Sequence, residues 1–110
     1  MLGRLLRQLA RPRSAASTAQ PAADDVALHA KAMGMHAQGR SSEALALLDA
    51  ALGRNPSLFW AGVASGDIRG ERRELGAAAL AYRRALELQP PVELAARVLG
   101  KLAAMERARG

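Results

Sequence analysis

The chain has 110 residues and a formal charge of +6, which bounds it to one small domain. It contains no cysteine, so disulfides, cysteine-ligated zinc and thiol chemistry are excluded, and a reducing, cytoplasmic setting suits it. Half of the residues are apolar but only three are aromatic, strand formers are scarce, and no run approaches the ~18 apolar residues of a membrane span.

The charge is uneven. Residues 1–23 hold Arg4, Arg7, Arg11 and Arg13 and no acid, which leaves only +2 for residues 24–110. No uniformly basic face follows, and a nucleic-acid partner is not expected. In this leader Leu2, Leu5, Leu6 and Leu9 fall on one helical face by their i, i+3, i+4, i+7 spacing. Pro12 stops the helix, since it lacks an N–H and restrains the residue before it. The Ser-, Ala- and Pro-rich linker that follows divides the chain into 1–23 and a helical domain at 24–110. Two readings stand for residues 1–11. One is a short helix that packs on the domain. The other is a membrane-surface or organelle-targeting segment, amphipathic, Arg-rich and free of acid.

The first helix of the domain begins near Asp24 or Asp25, either of which can cap it with a carboxylate. Val26, Ala27, Leu28, Ala30, Ala32 and Met35 supply its apolar side. Gly39-Arg40 ends it, because glycine tolerates the left-handed stop. Ser41 or Ser42 is expected to cap the second helix, with Glu43 in its first turn. Leu45, Leu48 and Leu52 make its stripe, with Ala44 and Ala51 where helices come close. After Asn55-Pro56, Leu58, Phe59 and Trp60 open a third helix in which Gly62, Gly66 and Gly70 share one face. Each glycine costs roughly 0.5–1 kcal/mol against alanine, so this helix is expected to be the least stable. The fourth buries Leu75, Ala78, Ala79, Tyr82, Ala85 and Leu86 and turns Arg83 and Arg84 outward. A fifth follows Pro90-Pro91, with Val92, Leu94, Ala95, Val98, Leu99, Leu102 and Met105 as its stripe.

These elements repeat. Ala44 and Ala78, Leu48 and Tyr82, Ala51 and Ala85, and Pro56 and Pro90 are each 34 residues apart. A fixed period of this size marks stacked helix–turn–helix units. The pattern resembles the tetratricopeptide repeat over Asp25 to about Met105. The motif's small residue opening the second helix is matched by Ala44 and Ala78, its large mid-helix residue by Leu48 and Tyr82, its late alanine by Ala51 and Ala85, and its closing proline by Pro56 and Pro90. Its first-helix glycine is matched by Gly66 and by the small Ala32. The turn glycine is matched by Gly39 and replaced by Arg73. The motif's tryptophan becomes Leu28 and Gly62, with Trp60 two positions early. The expected fold is all-α: two such pairs plus a C-terminal capping helix.

The resemblance implies that first helices line a concave, peptide-binding face. By repeat position that groove comprises Val26, His29, Met33, His36, Trp60, Val63, Asp67, Leu94, Arg97 and Lys101. Chaperone-binding members of the family hold a carboxylate with basic and Asn residues; the matching positions here hold His29, Met33, Ala64, Leu94 and Val98, so that clamp is not present. The mostly apolar groove suits an extended peptide or an amphipathic helix.

No motif for phosphate cradling, nucleophilic catalysis or zinc proteolysis occurs, so no catalytic residue, metal ligand or cofactor is expected. His29 and His36 stand about 10.5 Å apart along a helix, too far for one ion. The function expected is a non-enzymatic protein–protein interaction module. The alternative is a membrane-associated or organelle-targeted scaffold that touches the membrane through residues 1–11. Two pairs and one helix fall short of the three or so repeats that make a continuous core, so self-association or ordering by a partner is expected. The leader's leucine face is also expected to dock in cis, in the groove or on an exposed array edge.

Overall fold

The computed structural model describes residues 23–110, and these form five helices: α1 (Ala23–Ala37), α2 (Ser41–Arg54), α3 (Phe59–Glu71), α4 (Leu75–Glu87) and α5 (Val92–Arg109). No strand occurs among the described residues. The readings of the leader, including the face of Leu2, Leu5, Leu6 and Leu9, lie outside them. Helix α1 packs on α2 and α3, α3 also packs on α2 and α4, and α4 packs on α5. The protein is thus an all-helical array of two helix–turn–helix pairs closed by α5. None of these helices is long and apolar enough to cross a membrane.

The 34-residue period is written in the backbone as well as in the side chains. At the end of α1, the N–H of Gly39 donates to the carbonyl of His36 and that of Arg40 to Met35. At the end of α3, Arg73 donates to Gly70 and Glu74 to Arg69. Both are paired 5→2 and 6→1 closures, which satisfy carbonyls that the helix leaves unpaired. The closing residue is left-handed in each, Gly39 at φ 80° and Arg73 at φ 64°. Arginine therefore occupies a conformation that costs a residue with a Cβ about 1–2 kcal/mol. The serine caps expected for α2 do not form: Arg40 is the N-cap residue and no side chain caps it. The hydroxyl of Ser41 lies instead 2.6 Å from His36 Nδ1.

Two hydrophobic clusters share α3 as a common wall. One joins Ala32, Ala44, Leu45, Leu48, Ala61, Ala64 and Ile68; the other joins Phe59, Val63, Ala78, Tyr82, Ala85 and Val98. Small residues set the spacing. Ala32, Ala44, Ala61, Ala64, Ala78 and Ala79 are wholly buried, so the helices touch almost backbone to backbone. The glycine face of α3 meets α4 and α5. A Cβ on Gly62 would sit 3.7 Å from the Cβ of Ala85, one on Gly70 would lie 3.2 Å from Met105 Sδ, and one on Gly66 would lie 2.5 Å from the Tyr82 ring. Gly66 is thus the gap into which Tyr82 fits.

Asp25 has a different role from the one its position suggests. Rather than capping α1, its buried carboxylate accepts the N–H of Trp60 at 2.8 Å and that of Ala61 at 3.0 Å. These are unpaired donors in the first turn of α3, whose own N-cap residue, Leu58, has no side-chain oxygen. An aspartate from the first pair therefore caps the second pair, and its charge faces the positive end of the α3 dipole.

Candidate functional site: the concave face

Helices α1, α3 and α5 present one side chain after another to a shared concave surface. His29 from α1 meets the edge of Trp60 from α3 with ring centroids 5.2 Å apart, and Phe59 supports Trp60 from behind at 5.1 Å. Edge contacts of this kind hold an indole in one orientation while part of it stays exposed. Next to it, Asp67 Oδ1 accepts the Tyr82 hydroxyl at 2.6 Å and Lys101 Nζ at 2.9 Å. One carboxylate oxygen thereby ties α3, α4 and α5 together. Burial holds the Tyr82 phenol well above its ordinary pKa, and the hydrogen bond to Asp67 and the charges of Asp67 and Glu71 add to that effect. The phenol is a fixed neutral donor, and Asp67 is spoken for on the side that faces the core.

The Asp67–Lys101 pair divides the surface in two. A small hollow of about 80 Å³ is lined by His29, Trp60, Val63, Asp67, Leu94, Arg97, Val98 and Lys101. A larger one of about 360 Å³ is lined by Met33, Asp67, Gly70, Glu71, Tyr82, Lys101 and Met105. Eight of the ten residues that repeat position assigns to the groove therefore come together. Val63 is present only as floor, being 1% exposed. The other two stand aside: Val26 is about half exposed and lines neither hollow, and His36 is engaged elsewhere. Its Nε2 lies 3.1 Å from Glu71. Its Nδ1 lies 2.6 Å from the Ser41 hydroxyl, so both ring nitrogens have partners away from the groove. Among the described residues no group of three or more His, Cys, Asp or Glu could hold a metal ion.

Sequence reasoning did not anticipate a concavity of about 650 Å³ that opens on the opposite side, between α2 and α4. Its floor is one face of α3, Leu58, Gly62, Ser65 and Arg69, and its walls include Leu52, Pro56, Leu80, Ala81 and Leu88. The signal lay in Leu80, a large apolar residue that falls off the inward stripe of α4; Leu88, just past the end of α4, also packs against the second cluster. Arg69 bonds Asp49, Ser65 and Glu74 and closes one end of the groove. Comparison of the chain with protein-family models, with curated proteins and with solved structures finds no match.

Proposed function

We propose that this protein is a non-enzymatic interaction module of the tetratricopeptide-repeat type, which binds a protein segment, as an extended peptide or a helix, on its concave face. The observation that supports this most is the pair of adjoining hollows. They join an oriented, partly exposed indole to two methionines and a few fixed polar groups. Methionine adapts its shape to a ligand, whereas Trp60, Tyr82 and the Asp67–Lys101 pair give direction. The larger hollow, at about 360 Å³, lies at the low end of the volumes that ligand sites occupy and has room for a few side chains of a bound segment. Glu71 and Lys101 stand at its mouth with opposite charges, so a ligand that offers one basic and one acidic group beside an apolar residue suits it best.

The test is selection of peptides from a random 12-residue display library on the full chain, followed through Trp60, the single tryptophan. Selected peptides should change Trp60 emission, and Lys101→Glu or Met33→Asp should weaken them at least tenfold. Leu80→Glu, on the other side of the array, should leave them unchanged. Peptides that bind but ignore both concave substitutions would overturn the assignment. A second reading, a scaffold held at a membrane surface, is favoured by the Arg-rich leucine stripe of residues 1–11. Co-sedimentation of the full chain with anionic vesicles, lost at high salt, would support it.

A further inference from the structure

We propose that the groove between α2 and α4 is the docking site for the chain's own leader, with Leu2, Leu5, Leu6 and Leu9 seated as a helical face along Leu52, Leu58, Leu80 and Leu88. The groove is mostly apolar, with Asp49, Ser65, Arg69 and Arg84 as its polar lining, and is nearly twice the volume of the larger hollow on the other face, about 650 Å³ against about 360 Å³. Leu80, 44% exposed on its wall, is among the few large apolar side chains that the helices leave open to solvent. Gly62, Ala81 and Ala85 keep the floor low where a helix would lie. The undivided trough is a better match for a helix than the concave face, which the Asp67–Lys101 pair interrupts.

Length and position agree with this occupant. Leu2 to Leu9 rises about 10.5 Å along a helix, and α4 between Ala77 and Leu88 offers about 16 Å of wall. The leader leaves the domain at Ala23, two residues from Asp25. The carboxylate of Asp25 is bonded to Trp60 and Ala61, two and three residues past Leu58 at the groove's end. Two residues span at most about 7 Å, so the exit point and the groove's end are within roughly 20 Å of one another. The eleven residues 12–22 can reach about 36 Å at most, which covers that distance. Such a tether holds the leader at a millimolar effective concentration, so weak contacts suffice to populate docking. The face that binds outside segments stays open, and the leader closes the back of the array. This inference is independent of what the concave face binds.

The experiment uses the full chain, whose lack of cysteine allows one label to be placed without interference. Gln8→Cys carries a nitroxide, and paramagnetic broadening of backbone amides is read. Docking predicts that Leu52, Ala81 and Leu88 lose most of their signal while Met33 and Leu94 keep theirs. Adding Leu5→Asp and Leu6→Asp, both in the leader and so without effect on the domain's packing, should restore the lost signals. Leu80→Glu should do the same from the groove side. Broadening that appears on Met33 and Leu94, or on neither face, would overturn the proposal. So would broadening of unlabelled chains mixed with nitroxide-labelled ones, because the contact would then be between two copies.

Discussion

Gly62 and Gly66 are one helical turn apart in α3, yet alanine at the two positions should act with opposite sign. At Gly62 the new Cβ makes ordinary contact, 3.7 Å from Ala85 Cβ. Alanine there recovers the helix-forming deficit of glycine, a gain of about 0.5–1 kcal/mol. At Gly66 it would lie 2.5, 2.7 and 2.8 Å from three carbons of the Tyr82 ring. Carbon atoms rest about 3.5–4.0 Å apart, so the ring would have to move by roughly 1 Å. It is held in place: Tyr82 is 3% exposed, belongs to the cluster of Val63 and Val98, and is pinned by its hydroxyl to Asp67 at 2.6 Å. Overpacking costs about 1–3 kcal/mol, and loss of a hydrogen bond to a charged group adds about 1.5–3. Against the same helical gain, Gly66→Ala should destabilise by about 1.5–5.5 kcal/mol. Urea unfolding followed by Trp60 emission measures both variants. For a domain of this size 1 kcal/mol is about 4–8 °C in Tm, so the two melting points should separate by about 10 °C or more. Tyr82→Leu in the Gly66→Ala background should recover part of the loss, a non-additive outcome that identifies the contact. Equal stability of the two alanine variants would show that Tyr82 does not sit on Gly66 and that the register of α4 on α3 is wrong.

Three further outcomes are expected. Asp25→Ala removes the acceptor for two buried N–H groups of α3 and should cost about 1–2 kcal/mol by urea unfolding, whereas Asp24→Ala should stay within about 0.5; equal effects would count against the cross-pair cap. Arg73→Gly should raise stability by up to about 1 kcal/mol, since Arg73 is left-handed at φ 64° and glycine adopts that conformation without strain. Tyr82 has its pKa raised above the ordinary 10.0 by burial, so the folded chain favours the neutral phenol. Its contribution is whole below pH 10 and falls as the pH rises above 10, where the unfolded chain ionises and the folded one resists. Tyr82→Phe should flatten that alkaline decline in a melting-temperature series from pH 8 to pH 11.

The repeat itself was legible because it rests on local rules. A 34-residue spacing of alanines, prolines and turn residues shows in one dimension, and the five helices fall where apolar periodicity places them. Gly39 marked its turn plainly; Arg73 did not, since the same left-handed turn is imposed there by the packing of the pair. What could not be read was any role decided across pairs. Asp25 has the sequence signature of a helix N-cap, and nothing nearby says that its carboxylate reaches 35 residues onward to Trp60. Ser41 has the same signature and is drawn off by His36. The groove between α2 and α4 was hidden for a related reason. A spare leucine at position 80 shows that a surface exists, but its concavity depends on the gap between two second helices, which no periodicity encodes. The glycines of α3 have a second role that propensity does not show. Counted by propensity they weaken a helix, but in the array they make α3 the most enclosed element, with Phe59, Ala61, Gly62, Val63, Ala64, Ser65, Gly66 and Ile68 all buried.

Each helical pair of a stacked array leaves an apolar face for a neighbour to cover. Polar contacts between helices add to that cover. Asp25 joins α1 to the start of α3, Arg69 joins α2 to α3 and to the start of α4, and Asp67 joins α3, α4 and α5. Every one of these ties passes through α3, and each sits at a different height along it: Asp25 at its first turn, Asp67 and Arg69 toward its last. Opening the first pair away from α3 would leave the buried Asp25 carboxylate and two backbone donors of α3 without partners, and such groups are costly in an apolar setting. The polar ties thus make separation of the pairs unfavourable. They also fix Trp60 and the Asp67–Lys101 pair, which are the features that give the concave face its shape. The residues that hold the short array together are therefore the ones that build its candidate binding surface.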